Sequence, residues 1–391
     1  MKQRFSVFFI FLAITFLMSS LLFFSKHKTF AEEKNFLHVE SNQAILLDAD
    51  SKTIVYSHNE KEARPIASMC KIMTLLLCFE NIDNGNLALN ETITISKNAS
   101  NMGGSQVFLE ENGEYKVYEL IKSIVVASAN DACVALAERL YGNEDIFVEK
   151  MNERARELNM DNTNFVNCTG LPKDGQFSCA LDVSKMFLEL ISHPDYFRFS
   201  KIWTDKIEHP NERFTEISNT NKLIRFYEGC DSGKTGYTSQ AGHCLVASAK
   251  RNDLRLICVV INAPDSKTRF REVSSLFNYG FSNYTNKLIV DNCSPLEQKF
   301  DVANGKKDQI EICSENPIYL FSKKNQRRNI EIIVKPNDVI KAPILKNQIL
   351  GTISIYEDGV LIKEENVISL ENVDKKSYID YLDDAILDWN I

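Results

Sequence analysis

No Cys-x-x-Cys pair occurs among the ten cysteines, and no His-Glu-x-x-His run among the six histidines. Both absences argue against a zinc hydrolase, whose ligands need such spacings to converge on one ion; no metal and no cofactor is expected. A long basic run is also missing. Asp plus Glu (53) outnumber Lys plus Arg (45), for a formal net charge of −8. A mildly acidic chain of this kind is a poor nucleic-acid binder. No repeat of solenoid period is visible. With 44% hydrophobic and 25% charged residues, the composition is globular, which excludes disorder, collagen and coiled coil for most of the chain. Its 391 residues suffice for about two or three domains.

The first 31 residues set the compartment. Met1-Lys2-Gln3-Arg4 is a basic start, and Phe5 to Phe24 is an uncharged apolar run. Thr29-Phe30-Ala31 carries small residues where a signal peptidase needs them. The run is about 20 residues long, sufficient to cross a bilayer. Residues 1–31 therefore read as a cleaved signal peptide or as an uncleaved anchor. Either puts residues 32–391 outside the cytoplasm. Ten cysteines in an exported chain suggest disulfides. Yet Cys78, Cys133, Cys244 and Cys258 sit in apolar runs, where a thiol behaves as a small core side chain. Reduced cysteines are expected.

Along the chain, Ala44–Asp48 and Thr53–Ser57 alternate like short strands about the turn Asp48-Ala49-Asp50-Ser51. A helix from Ser68 to about Ile82 is apolar nearly all round and should be buried. Further helices are expected at 117–128, 130–141, 144–159 and 180–192. Strands return at 233–238, 243–250 and 254–261, and a closing helix at 269–284. Strands first, helices in the middle and strands last fit one antiparallel sheet whose first and last strands meet, an α+β fold. Residues 286–370 alternate in short strands with turns such as Asn304-Gly305 and Asp358-Gly359, a separate all-β domain. In the tail, 374–391, Tyr378, Ile379, Leu382, Ile386 and Trp389 share one helical face.

Three short patterns bear chemistry. Ser68-Met69-Cys70-Lys71 puts a hydroxyl and an amine three residues apart, on one face of a helix. A serine needs a base to become a nucleophile, and a lysine can serve once burial and nearby positive charge lower its pKa. Ser128-Ala129-Asn130, at a break between helices, offers a proton relay and an amide. Lys234-Thr235-Gly236 opens a strand, with Gly236 removing a side chain that would block close backbone approach. Singly, the first two are common: Ser25-Lys26-His27-Lys28 and Ser57-His58-Asn59 match them as well. The lysine–threonine–glycine triplet occurs once.

In order, on a buried helix start, an inter-helix break and a late strand, the three meet the needs of an active-serine penicillin-recognising site. With them stand Met102-Gly103-Gly104-Ser105-Gln106, Asn167-Cys168-Thr169-Gly170-Leu171 and Tyr237-Thr238. On these stretches the chain resembles the low-molecular-mass penicillin-binding proteins of the D-alanyl-D-alanine carboxypeptidase (peptidase S11) family, close to the sporulation-associated members. The resemblance runs from about residue 37 to 365. It implies a penicillin-binding-protein/β-lactamase-like catalytic domain at 37–284, followed by the β-rich domain at 286–370. It implies a serine carboxypeptidase acting on peptidoglycan stem peptides, with β-lactams as covalent inhibitors, in the cell wall or on the outer face of the membrane.

By the same resemblance Ser68 is the nucleophile and Lys71 its base, with Ser128 and Asn130 on the opposite wall. Lys234, Thr235 and Gly236 receive the substrate, and the amides of Ser68 and Tyr237 form an oxyanion hole. Arg269 falls where the family keeps a carboxylate-binding arginine. Family members often anchor by a basic amphipathic tail. Here Asp380, Asp383, Asp384 and Asp388 make that face acidic, against contact with anionic lipid. The alternatives are a class A-type β-lactamase and a catalytically idle wall-associated module. The β-lactamase needs a Glu-x-x-Leu-Asn loop, and Ala155 stands where its glutamate would precede Leu158-Asn159.

Overall fold

The structure, a computed structural model, describes residues 38–388 apart from Cys293; the expected signal or anchor and Trp389 lie outside them. Strand β1 (Gln43–Asp48) folds back onto β2 (Ile54–His58) around a turn in which Asp48 accepts from the Ser51 amide at 2.7 Å. The chain then leaves the sheet. A 3₁₀ turn, Ala67–Cys70, runs into the helix Lys71–Asp83, and β3 (Thr92–Thr94) and β4 (Glu114–Lys116) form a small hairpin. Helices Val117–Lys122, Asn130–Tyr141, Glu144–Glu157 and Ala180–Ile191 follow, then the hairpin of β5 (Thr204–Glu208) and β6 (Phe214–Ser218). The chain returns as β7 (Cys230–Thr238), β8 (Gly242–Arg251) and β9 (Leu254–Ala263). Strand β9 pairs antiparallel with β1, so the sheet runs β2-β1-β9-β8-β7 and the first and last strands meet. That order leaves β7 on an edge.

The helix Lys71–Asp83 is buried from Lys71 through Phe79, as its nearly all-round apolar pattern requires. It packs against the helices Ala180–Ile191 and Asn130–Tyr141. Two helix boundaries differ from the sequence expectation. The closing helix starts at Ser266, three residues before Arg269, because the Asp265 carboxylate caps it, accepting from the Lys267 and Thr268 amides at 2.8 Å each. The stretch expected as a helix over 117–128 is regular only to Lys122; residues Ser123–Ala127 widen into a π turn, and Ser128 leaves it in the left-handed region at φ 62°. The Ser123 hydroxyl donates back to the Glu119 carbonyl at 2.7 Å, competing with the regular helical ladder at that point.

From Tyr284 the chain is strand again. Strand β10 (Tyr284–Val290) pairs with β13 (Ile318–Lys323). Strands β11 (Lys299–Asp301), β12 (Gln309–Ser314), β14 (Ile330–Pro336), β15 (Ile349–Glu357) and β16 (Val360–Ser369) form a second sheet in the order β11-β12-β16-β15-β14. Val290 and Ile318 of the pair share one core with Ile310, Ile312, Ile353 and Val367 of the sheet. A last helix, Tyr378–Asp388, turns Asp380 and Asp384 to Lys306 and Lys376, at 3.8 and 2.8 Å. Tyr381 donates to Asn304 at 2.9 Å, while Tyr378 and Ile379 stay exposed. Among the described residues no helix is long and apolar enough to cross a membrane.

Candidate active site

Ser68 sits in the 3₁₀ turn and Lys71 opens the helix behind it. One turn of chain therefore brings the amine under the hydroxyl: Lys71 Nζ donates to Ser68 Oγ at 3.0 Å. The lysine is fully buried, and burial lowers its pKa below the ordinary lysine range. Its second acceptor is the Thr169 carbonyl. The segment that supplies this carbonyl is tied to the same helix, because Thr74 donates to the Cys168 carbonyl at 2.7 Å and Cys70 to that of Asn167 at 3.2 Å. Asn167 in turn accepts from the Gly170 amide at 2.7 Å, closing the loop on itself.

The left-handed Ser128 delivers a second hydroxyl. Lys234 Nζ, from β7, donates to Ser128 Oγ at 2.7 Å and to the Thr235 carbonyl at 3.1 Å. Lys234 is also buried. Burial first, then the charges of Lys71 and Arg269, pushes its pKa well below the lysine range. Because Ser128 Oγ accepts from Lys234, its own proton is free to be donated elsewhere.

Asn130 begins the next helix and is clamped from both ends. Its amide donates to the Ser105 carbonyl and its Nδ2 to the Gly103 carbonyl, each at 2.7 Å. Its buried Oδ1 has no partner among the described residues. Gly104 makes the clamp possible: it lies at φ 80°, and a Cβ there would stand 2.7 Å from Asn130 Nδ2. Asp131 holds the same segment by accepting from the amides of Val107 and Leu109, both at 3.1 Å.

Thr235 and Gly236 continue β7 beside the nucleophile. A Cβ on Gly236 would stand 2.6 Å from the Ile66 carbonyl and 3.3 Å from the Ser68 amide, so the strand can pass only as glycine. Tyr237 is 60% exposed and stacks on His243, with ring centroids 4.4 Å apart. Arg269 reaches up from the closing helix under the strand. Its Nη1 donates to the Gly236 and Cys244 carbonyls, both at 3.1 Å, and burial lowers its pKa to about 10. Arg269 therefore bears on the site by holding β7 and by its charge. Its buried Nε has no partner among the described residues.

All nine candidate residues thus gather at one edge of the sheet. The Thr169 carbonyl and the Gly103 and Ser105 carbonyls were missed, since main-chain groups leave no residue-type signal. The flanking glycines were the only hint. Cys70, Cys133 and Cys168 surround Lys71 as buried thiols, and burial pushes that of Cys133 up to about 12, which makes it inert. No group of His, Cys, Asp and Glu suited to a metal ion occurs among the described residues.

Two Ser–Lys pairs with buried amines beside an open strand edge place the protein among the active-serine penicillin-recognising enzymes. Comparison with known proteins narrows that class. Residues 28–265 match the D-alanyl-D-alanine carboxypeptidase family, Peptidase S11, and residues 284–375 match the penicillin-binding protein 5 C-terminal domain. The D-alanyl-D-alanine carboxypeptidase DacF of Bacillus subtilis is 39% identical over 352 residues, 90% of each chain. Penicillin binding protein 5 from Haemophilus influenzae superposes with a TM-score of 0.68 at 28% identity, over 86% of this chain and 98% of that one. Penicillin-binding protein D2 from Listeria monocytogenes, solved in an ampicillin bound form, gives 0.56 at 29% identity, over 63% and 98%. The chain belongs to the peptidase S11 family of D-alanyl-D-alanine carboxypeptidases. It is a serine-type enzyme of that family, with an α+β transpeptidase-like domain followed by the all-β domain.

Proposed function

We propose that this enzyme removes the terminal D-alanine of peptidoglycan stem pentapeptides through an acyl-enzyme on Ser68. The observation that carries this is the 3.0 Å contact between Ser68 Oγ and a fully buried Lys71 amine. A buried amine with a lowered pKa is neutral more readily, and a neutral amine can take the Ser68 proton as the hydroxyl attacks. The amides of Ser68 and Tyr237 receive the developing oxyanion. Asn130 Oδ1 accepts from the peptide's amide. Lys234 and Thr235 meet the terminal carboxylate, with Arg269 adding positive charge from beneath the strand. The Ser128 proton passes to the departing amine and is replaced through Lys234 by the proton that Lys71 took from Ser68, which returns Lys71 to its neutral form. Water then hydrolyses the ester, again with Lys71 as base.

A β-lactam presents a carbonyl and a carboxylate in the same relation, so it acylates the same serine. The enzyme acts outside the cytoplasm. Residues 1–31 are assigned to an export signal or anchor, 37–284 to catalysis, 286–370 to the β-rich domain and 374–391 to the tail. Contact of the tail with a membrane surface rests on the exposed Tyr378, Ile379 and Leu382, because its acidic face is engaged by Lys306 and Lys376.

The test is labelling with benzylpenicillin, followed by D-alanine release from a pentapeptide, each with Ser68→Ala as control. Mass spectrometry should find one acyl group on the peptide that contains Ser68. An adduct elsewhere, or labelling without D-alanine release, would overturn the proposal.

A further inference from the structure

A buried histidine that the mechanism does not use joins the hairpin of β5 and β6 to the segment that clamps Asn130. His209 follows β5 directly. Its Nδ1 lies 2.7 Å from Tyr115 Oη, on β4, and its Nε2 lies 2.8 Å from Thr215 Oγ1, on β6. The neighbouring bonds fix the direction of both. Thr215 gives its one proton to the Val107 carbonyl at 3.1 Å, so it must accept from His209 Nε2–H. Burial, then the charge of Arg213, lowers the pKa of the ring. The ring is therefore neutral at pH 7, and Nδ1 accepts from the Tyr115 hydroxyl. One directed chain of bonds thus runs from Tyr115 through His209 and Thr215 to Val107.

Val107 stands two residues from Ser105, whose carbonyl accepts from the Asn130 amide. Residues 103–109 form neither helix nor strand, and Gly104 and Phe108 are left-handed, at φ 80° and 62°. A bulky residue such as Phe108 keeps that conformation only where its surroundings enforce it. The grips come from outside the segment. Asp131 holds the Val107 and Leu109 amides, Arg213 donates to the Phe108 carbonyl at 2.7 Å, and Thr215 donates to that of Val107. Arg213 and Thr215 both belong to the hairpin that His209 pins.

We infer that His209 is a positioning residue for the reaction, setting through Thr215 and the 103–107 segment the place of the Asn130 Oδ1 that meets the peptide. The inference rests on the carboxypeptidase reading above. His209 touches no reacting atom. Its neutral ring accepts at one nitrogen and donates from the other, as this place in the chain demands. Phenylalanine would fill the space but leave the Tyr115 hydroxyl without an acceptor and Thr215 without a donor, and buried groups left so are costly.

The experiment is a double-mutant cycle read as kcat/KM for D-alanine release from a pentapeptide. Its members are the unmodified enzyme, His209→Phe, Asn130→Ala and the double variant, with enzyme in excess where turnover is slow. His209→Phe should cost about tenfold, less than the roughly 10²-fold of a 1 Å misplacement. In the Asn130→Ala background the same change should cost less than about twofold, because residues that act through one another do not add. His209→Gln keeps one donor and one acceptor and should recover part of the loss. Thr215→Val cuts the chain one bond later with the ring in place, and should reproduce the His209→Phe pattern even if that variant folds poorly. Melting temperatures are taken on every preparation. Equal losses in both backgrounds, or no loss in His209→Phe and Thr215→Val, overturn the positioning role while D-alanine release continues. An unmodified enzyme that binds penicillin but releases no D-alanine overturns the carboxypeptidase reading itself, and the positioning role with it.

Discussion

The backbone of Gly170 lies so close to Ala67 that a Cβ on the glycine would stand 2.1 Å from the Ala67 carbonyl oxygen. Gly170 also sits at φ 81°, a conformation that L side chains rarely adopt. The loop that gives Lys71 its second acceptor thus presses directly on the turn that carries Ser68. Gly170→Ala should push the two apart. A misplacement of about 1 Å at a reacting centre can cost roughly 10²-fold in rate. The acylation rate with benzylpenicillin should fall by that order, with a lowered melting temperature. Unchanged acylation would show that the loop does not position the nucleophile.

The Lys71 pKa is lowered, and burial is the main cause. Acylation needs the neutral amine, so its rate should rise with pH through that lowered value and level off above it. The rise should therefore lie below the pH range where an ordinary lysine titrates. Lys71→Arg keeps the charge and cannot give it up, and should lose about 10²–10⁴-fold, the worth of a general base. A pH–rate profile of penicillin acylation measures both. A rise only at ordinary lysine pH would exclude Lys71 as the base.

Arg269→Ala should impair peptide turnover more than penicillin acylation. The mobile carboxylate of D-Ala-D-Ala needs the positive field beneath Gly236, whereas the strained lactam ring supplies part of its own reactivity. The bonds from Arg269 to the Gly236 and Cys244 carbonyls add a second effect, a shift of β7 that touches both substrates. The comparison is therefore the ratio of the two losses, read as kcat/KM against second-order acylation. Equal losses would leave Arg269 only its hold on the strand.

Penicillin should be released slowly by the same preparation that turns over peptide many times. D-Alanine diffuses away after acylation, but the opened lactam keeps its leaving group tethered where water must approach. A β-lactamase answers this with a glutamate, and Ala155 occupies the matching sequence position. Acyl-enzyme lifetime and D-alanine release are the two measurements. Rapid penicillin turnover without D-alanine release would move the assignment to a β-lactamase.

The legible parts of this molecule were those written in side-chain chemistry. A lysine at the mouth of an apolar helix is conspicuous because burial of Lys71 makes sense only with a partner such as Ser68. The sheet could be inferred because β8 and β9 carry long apolar runs, and because β1 is too short to stand alone; β7 is polar and was marked by its Lys234-Thr235-Gly236 triplet. The π turn at Ser123–Ala127 was hidden, since Ile124, Val125 and Val126 read equally well as helix. The hairpin of β3 and β4 was hidden too, with strands of three residues each, too short to show alternation. At the site, the clamps on Lys71 and Asn130 are carbonyls, which every residue carries. Only the glycines beside them, Gly104 and Gly170, mark where they lie.

The unpaired edge of β7 limits how this enzyme could evade an inhibitor. What such an edge offers a ligand is main chain; no substitution deletes a carbonyl from a strand, and only proline, which would break the strand, deletes an amide donor. Changes that weaken a bound β-lactam must therefore act by moving the strand, through residues such as Gly236 and Arg269. Any such movement disturbs the seat of the natural peptide as well. Room to tell the two ligands apart remains farther along the edge, where side chains take over from backbone.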